Sequence, residues 1–257
     1  MLTPPEIARS LLAVGESKAR LPFGKMLLLA ILAGAYIALA GVGATAAAVT
    51  VESGSLAKLL SACVFPVGLS MVILAGSELF TGNCLMVMAL LERRITPAQL
   101  LRNWLTVYLG NAVGGAAVAA LAVYSHTASL FGDGLARSMV SIAESKAALG
   151  AGDAFLRGVL CNFLVCLAVW MAAASKRAEG KVIALFFPIL LFVLCGYEHC
   201  IANLYYLPAG AFAAAEYGME TTLTLAGCLE NLAAVTLGNL VGGAALGVGY
   251  RFAYLKE

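Results

Sequence analysis

Most ionisable residues of this 257-residue sequence sit at the ends of long apolar stretches, but a few lie inside them. His199 is the one histidine within such a stretch; His126 falls at the end of another. Glu78, Glu198 and Glu230 are carboxylates in comparable surroundings. A charge held away from water is costly, so such a residue ordinarily faces a cavity or pairs with a neighbour. Two readings of His199 are open: a structural hydrogen bond, with Glu198 as partner, or an imidazole facing a pore. In a pore the ring can hold an anion by hydrogen bonding, or pass it a proton so that a neutral acid leaves. Thr81 supplies a hydroxyl that can donate to a passing anion. Glu230, near the outer end of its stretch, reads as solvated.

Metal and redox chemistry have little to work with. The seven cysteines form no C-x-x-C pair and have no histidine at ligand spacing, so they read as small packed residues. No metal and no cofactor are expected. An enzyme would need a metal cluster, or a nucleophile beside its base, and a single membrane histidine provides neither. A net charge of +2, with Lys and Arg at segment ends rather than in a patch, sets nucleic-acid binding aside.

The elements that must hold these residues follow from composition. At 62% hydrophobic and 12% charged, the chain carries about half the charge of a soluble domain, so most of its surface must face lipid. Six apolar runs reach the roughly 20 residues needed to span a bilayer: 26–50, 59–91, 103–125, 154–175, 182–215 and 221–250. The first starts too late and runs too long for a signal peptide, so it is expected to remain as a spanning helix. With the N-terminus inside, twelve of the sixteen Lys and Arg fall on the cytoplasmic side, Arg251 and Lys256 among them; Lys58, Arg137, Lys146 and Arg157 fall outside. That asymmetry predicts a multi-pass protein of a bacterial inner membrane with both termini cytoplasmic. Ahead of the first span, Thr3-Pro4-Pro5-Glu6 is a capping box with proline at the first helical position. Ile7, Leu11 and Val14 follow at helical spacing, which predicts an amphipathic helix over 3–15, either a surface anchor or a pore gate.

The chain also repeats. LGNAVGGA at 109–116 matches LGNLVGGA at 237–244 at seven of eight positions, and the clusters 76–83 and 196–203 share Gly, Glu and Asn at Gly76/Gly196, Glu78/Glu198 and Asn83/Asn203. Repeat one covers 26–125 and repeat two 154–250. Three crossings per repeat is an odd number, so the second half enters the membrane inverted, with its site at the midplane. Runs two and five, 33 and 34 residues long, are too long for one simple span. Residues 76–83 and 196–203 are therefore predicted to break them, with half-helices restarting after Asn83 and Asn203. Glu78 and Glu198 are expected to accept hydrogen bonds from the broken backbone. The fold class is all-α: six transmembrane helices in two inverted three-helix repeats forming a single channel or transporter domain.

Gly-Ser-Glu-Leu-Phe-Thr at 76–81, CNFLVCLAVW at 161–170 and GYEHCIAN at 196–203 resemble the signature segments of the formate/nitrite transporter family. The similarity spans roughly residues 18–250. It implies an aquaporin-like fold, a homopentamer with one anion pore per protomer, and cargo such as formate, nitrite, hydrosulfide, lactate or acetate. By the same resemblance His199 matches the central histidine. Thr81 and Leu79 match a gate in the first loop, and Asn162 the residue supporting that loop. Phe65 and Leu69 match one apolar constriction and Phe192 the second. Lys146 and Lys18 match cations that draw anions to the two pore mouths. Cys200 stands where many members have serine, so substrate preference is left open.

The expectation is a transmembrane channel or transporter for small monovalent anions, proton-linked through His199. A neutral-solute channel of aquaporin type is the rival. It calls for Asn-Pro-Ala at both breaks and an arginine filter, and neither is in the sequence.

Overall fold

The computed structural model describes residues 1–255; Lys256, counted above with the cytoplasmic cations, lies outside them. Among the described residues every regular element is helical. Besides two short 3-10 turns, Cys84–Met86 and Thr127–Ser129, these are in chain order α1 (Pro4–Ala19), α2 (Phe23–Ala48), α3 (Gly54–Val64), α4 (Pro66–Ala75), α5 (Phe80–Asn83), α6 (Val87–Leu91), α7 (Pro97–Tyr124), α8 (Gly134–Ala147), α9 (Ala151–Ala173), α10 (Ala178–Leu194), α11 (Cys200–Glu216) and α12 (Leu225–Tyr254).

Five stretches are long and apolar enough to cross a membrane: α2, α3 with α4, α7, α9 and α12. The fifth apolar run of the sequence is instead divided between α10 and α11, each of 17 residues. Leu28, Leu105, Leu109, Leu156, Ile183 and Phe187 all lie exposed on these helices. Such a surface suits lipid or a neighbouring subunit rather than water.

The helices pair through glycine. Asn111 carbonyl oxygen stands where a Cβ on Gly34 would be, and Ile31 carbonyl oxygen where one on Gly114 would be. In the α9–α12 pair, Phe155 and Val159 carbonyl oxygens occupy the corresponding places beside Gly238 and Gly242. Backbone meets backbone at these points, and no side chain fits between.

Helix α1 begins at the expected capping box, with Glu6 Oε2 accepting from the Thr3 N–H at 2.7 Å and its hydroxyl at 2.8 Å. These bonds hold the Glu6 carboxyl below the usual carboxylate range. The helix lies on protein. Ile7, Ala8 and Leu12 join a buried cluster with Leu85, Met88 and Ala89, and Gly15 lets α1 approach Ala89. Leu11 and Val14, which share the apolar spacing with Ile7, line a cavity. On the opposite end, α8 carries Glu144, whose carboxyl is held low by the Thr222 N–H and the Thr221 hydroxyl. The basic residues divide accordingly. Arg94 pairs with Glu16, Arg251 with Glu92, and Arg102 donates to Leu21 O at the α1 end, whereas Lys58, Lys146 and Arg157 share one cavity at the other.

Both helix interruptions are shorter than expected. Helix α4 stops at, and α10 one residue short of, a glycine in the left-handed region, Gly76 at φ +78° and, after the Cys195 cap, Gly196 at φ +69°. The following N–H, on Ser77 or Tyr197, returns to the carbonyl five residues back, on Val72 or Phe192, at 3.0 Å in each case. No atom lies near either absent Cβ, so backbone conformation and not space calls for glycine here. Four residues later the chain is helical again, at Phe80 and at Cys200. The restart therefore comes before Asn83 and Asn203, which sit one turn inside.

Candidate functional site

The early restart has a physical cause in two asparagines. Asn111 Oδ1 accepts the free Phe80 N–H at 3.0 Å, while its Nδ2 donates to Ala30 O at 2.7 Å and Glu78 O at 2.9 Å. Asn239 does the same for the other interruption, accepting from Cys200 N–H at 2.9 Å and donating to Gly158 O at 2.8 Å and Glu198 O at 2.9 Å. One carboxamide thus caps the new helix and steadies the extended segment before it. These residues, not Glu78 and Glu198, hold the broken backbone. Sequence reasoning passed over them, although both lie in the repeated LGN segments and an asparagine in an apolar helix is itself a signal.

The two glutamates instead take side-chain donors. Lys18 Nζ bridges Glu78 Oε1 at 2.7 Å and Asn83 Oδ1 at 2.9 Å; Asn83 Nδ2 donates to Glu78 Oε2 at 2.8 Å and Asn103 Oδ1 at 2.9 Å. Lys146 Nζ contacts both Glu198 oxygens at 2.9 Å and lies 5.4 Å from the centre of the Tyr206 ring. Asn203 Nδ2 donates to Glu198 Oε2 at 2.7 Å and Asn231 Oδ1 at 2.8 Å, leaving Asn203 Oδ1 without a partner. Lys18 and Lys146, expected to draw anions to the two pore mouths, are thus each paired with a carboxylate.

His199 is the N-cap of α11. Its Nδ1 accepts the Ala202 N–H at 3.1 Å, which leaves the neutral ring's hydrogen on Nε2, facing Thr81 Oγ1 at 2.9 Å. Behind it the Thr81 carbonyl accepts from Asn162 Nδ2 at 3.2 Å and from Cys166 Sγ at 3.3 Å, and Asn162 also donates to Asn239 O at 2.7 Å. Asn162 therefore ties the Thr81 turn to the helix capping the other interruption. The Phe192 ring stacks on the imidazole with centroids 5.9 Å apart, and Phe65 meets Phe192 edge-on at 5.7 Å.

Three cavities lie along one path. The first, of about 420 Å³, is lined by Lys18, Glu78, Asn83, Leu69 and Leu79 among others. The second, of about 320 Å³, is lined by Lys146, Glu198, Phe65, Phe192 and His199 among others. Between them a space of about 10 Å³ is bounded by Phe65, Leu69, Leu79, Phe192 and His199. That is room for one water at most. The grouping of apolar residues differs from expectation: Phe65 sides with Phe192 toward the second cavity, and Leu69 with Leu79 toward the first. Thr81 and Asn162 stand behind the ring and line none of the three.

The comparisons agree with one another. The family model described as Formate/nitrite transporter matches residues 5–253. A "Probable formate transporter" of Methanothermobacter thermautotrophicus is 38% identical, over 99% of this chain and 98% of its own length. A "Formate channel FocA" of Haemophilus influenzae is 39% identical, over 86% of this chain and 83% of its own. Among solved structures, an "FNT family ion channel" superposes with TM-score 0.86 at 32% identity, covering 96% of this chain and 98% of the other. A "Pentameric formate channel with formate bound" gives 0.80 at 33% identity, covering 91% and 98%. These relatives are described as channels and transporters. The chain belongs to the formate/nitrite transporter family.

Proposed function

We propose that this chain conducts small monovalent anions, formate first among them and nitrite and hydrosulfide with it, through a pore running from one large cavity to the other past His199. The observation that carries this reading is the position of the imidazole at the narrowest point, shared by the central space and the Lys146 cavity. The pore is closed in this conformation, and Phe65, Phe192, Leu69 and Leu79 must part for an ion to pass. His199 Nε2–H then exchanges Thr81 for the anion. A second proton on the ring goes to Nδ1, at the expense of the Ala202 N–H bond, so proton-linked transport loosens the first turn of α11.

The paired contacts support a chain built of two inverted halves with runs two and five broken, as the sequence repeat predicts. They also favour including α1 and α8 in those halves, because Lys18 and Lys146 hold equivalent glutamates. The location proposed is a bacterial inner membrane, with the α1 end and both termini cytoplasmic. A homopentamer is proposed from the assembly named for the formate-bound neighbour.

The test is flux of formate, nitrite and hydrosulfide in proteoliposomes. His199→Ala and His199→Phe should abolish proton-linked uptake while the protein stays assembled. Unchanged flux of all three anions in both variants removes His199 from the mechanism.

A further inference from the structure

The two large cavities are not equivalent in charge. The first is lined by Lys18 and Lys181 against Glu78. The second is lined by Lys58, Lys146 and Arg157 against Glu198. Lys146 is already committed to both oxygens of Glu198 and to the face of Tyr206. Lys58 and Arg157 make no ion pair or side-chain hydrogen bond among the described residues, although both lie within electrostatic range of Glu198. The second cavity therefore holds two cations whose charge is not cancelled locally, and the first only one, Lys181.

We propose that the Lys58–Arg157 pair forms a binding site for a divalent oxyanion in the Lys146 cavity, where the bound ion blocks the pore from that side alone. Two uncancelled cations match a double negative charge better than a single one. The cavity of about 320 Å³ admits a sulfate-sized ion, whereas the central space of about 10 Å³ does not let it through. The phenyl rings of Phe65 and Phe192 form the floor on which such an ion is stopped. Ser141 also lines the cavity; its carbonyl accepts from the Ser145 hydroxyl, and its own hydroxyl makes no hydrogen bond among the described residues, so it is available to the anion. A monovalent anion meets the same cations but can proceed past His199, so the site sorts anions by charge at the mouth. This inference names a regulation of the proposed pore and rests on that reading.

The probe is sulfate, which is divalent throughout the neutral range, compared with methanesulfonate, which is of similar shape and monovalent. Formate flux is measured with the full chain in oriented proteoliposomes at fixed ionic strength. Each anion is added to one side at a time, and block is expressed relative to each variant's own unblocked flux. Sulfate on the α8 side should slow flux, with methanesulfonate far weaker and sulfate on the α1 side without effect. Lys58→Gln with Arg157→Gln should raise the sulfate concentration for half-block by about tenfold. Equal block from both sides, equal block by methanesulfonate, no block at all, or an undiminished block in the double variant would each overturn the proposal. Sulfate binding to the detergent-solubilised protein, followed by calorimetry in parent and double variant, decides the matter independently of transport. If formate does not move at all, the proposed function fails, while calorimetry still shows whether the site exists.

Discussion

A buried carboxamide making one accepted and two donated hydrogen bonds leaves three backbone groups stranded when it is removed. Asn111 and Asn239 are both fully buried and both in that position. Replacing Asn239 by leucine keeps the branching and the number of side-chain heavy atoms and deletes all three bonds, at a cost on the order of 4 kcal/mol. Asn239→Asp keeps the acceptor for Cys200 N–H but turns a charged oxygen toward the Gly158 and Glu198 carbonyls, and should be at least as damaging. The check is the temperature at which the detergent-solubilised protein loses its monodisperse form, with both variants well below the parent. A parent-like transition in Asn239→Leu would mean the interruption holds itself. His199 could be picked out in the sequence because a lone imidazole in an apolar run is conspicuous. Its pairing with Thr81 could not, since 118 residues separate them and only the packed helices set the distance.

The apolar stretches of α2, α3 with α4, α7, α9 and α12, and the polar clusters at 76–83 and 196–203, were legible because they rest on local properties, length and polar residues grouped within a hydrophobic run. The exact restart points were not, because Phe80 and Cys200 begin helices only where another helix supplies the cap. The face of α1 that packs on protein was not legible either, for a related reason. Its periodicity fits several stripes, and Leu85, Met88 and Ala89 select the one through Ile7 and Leu12. Glycine carries the element-level packing, and there a direct contrast is available. A Cβ at Gly242 meets the Val159 carbonyl, its carbon and its Cα, so Gly242→Ala must push α12 away from α9. Asn239 lies one turn away on the same helix, so the capping bonds move with it. The expected result is lower thermal stability together with loss of formate flux. Gly249, on the same helix, has nothing within 4 Å of its absent Cβ. Gly249→Ala should therefore raise stability by about 0.5–1 kcal/mol through helix propensity alone. If both substitutions behave alike, close approach is not what Gly242 provides.

Across the whole molecule, the same ionic device closes each end of the path: a lysine from an amphipathic helix, a glutamate from an interruption and an asparagine one turn on. Buried pairs of this kind seldom add much net stability, yet removing one partner strands the other. Lys146→Met leaves Glu198 charged and unpaired, and should destabilise the protein by about 3–5 kcal/mol. The stranded carboxylate also sits beside His199 on the approach to the constriction, so it repels incoming anions. Formate entry should slow, and more at low ionic strength than at high, since a charge at a wet cavity wall is screened by salt. Lys146→Met combined with Glu198→Gln removes both charges and should recover stability and most of the flux. Reading thermal stability and flux together separates two roles for the lysine. Recovery of both in the double variant means that Lys146 serves chiefly to neutralise Glu198. Recovery of stability without flux means that the ammonium group itself touches the ion on its way to the imidazole.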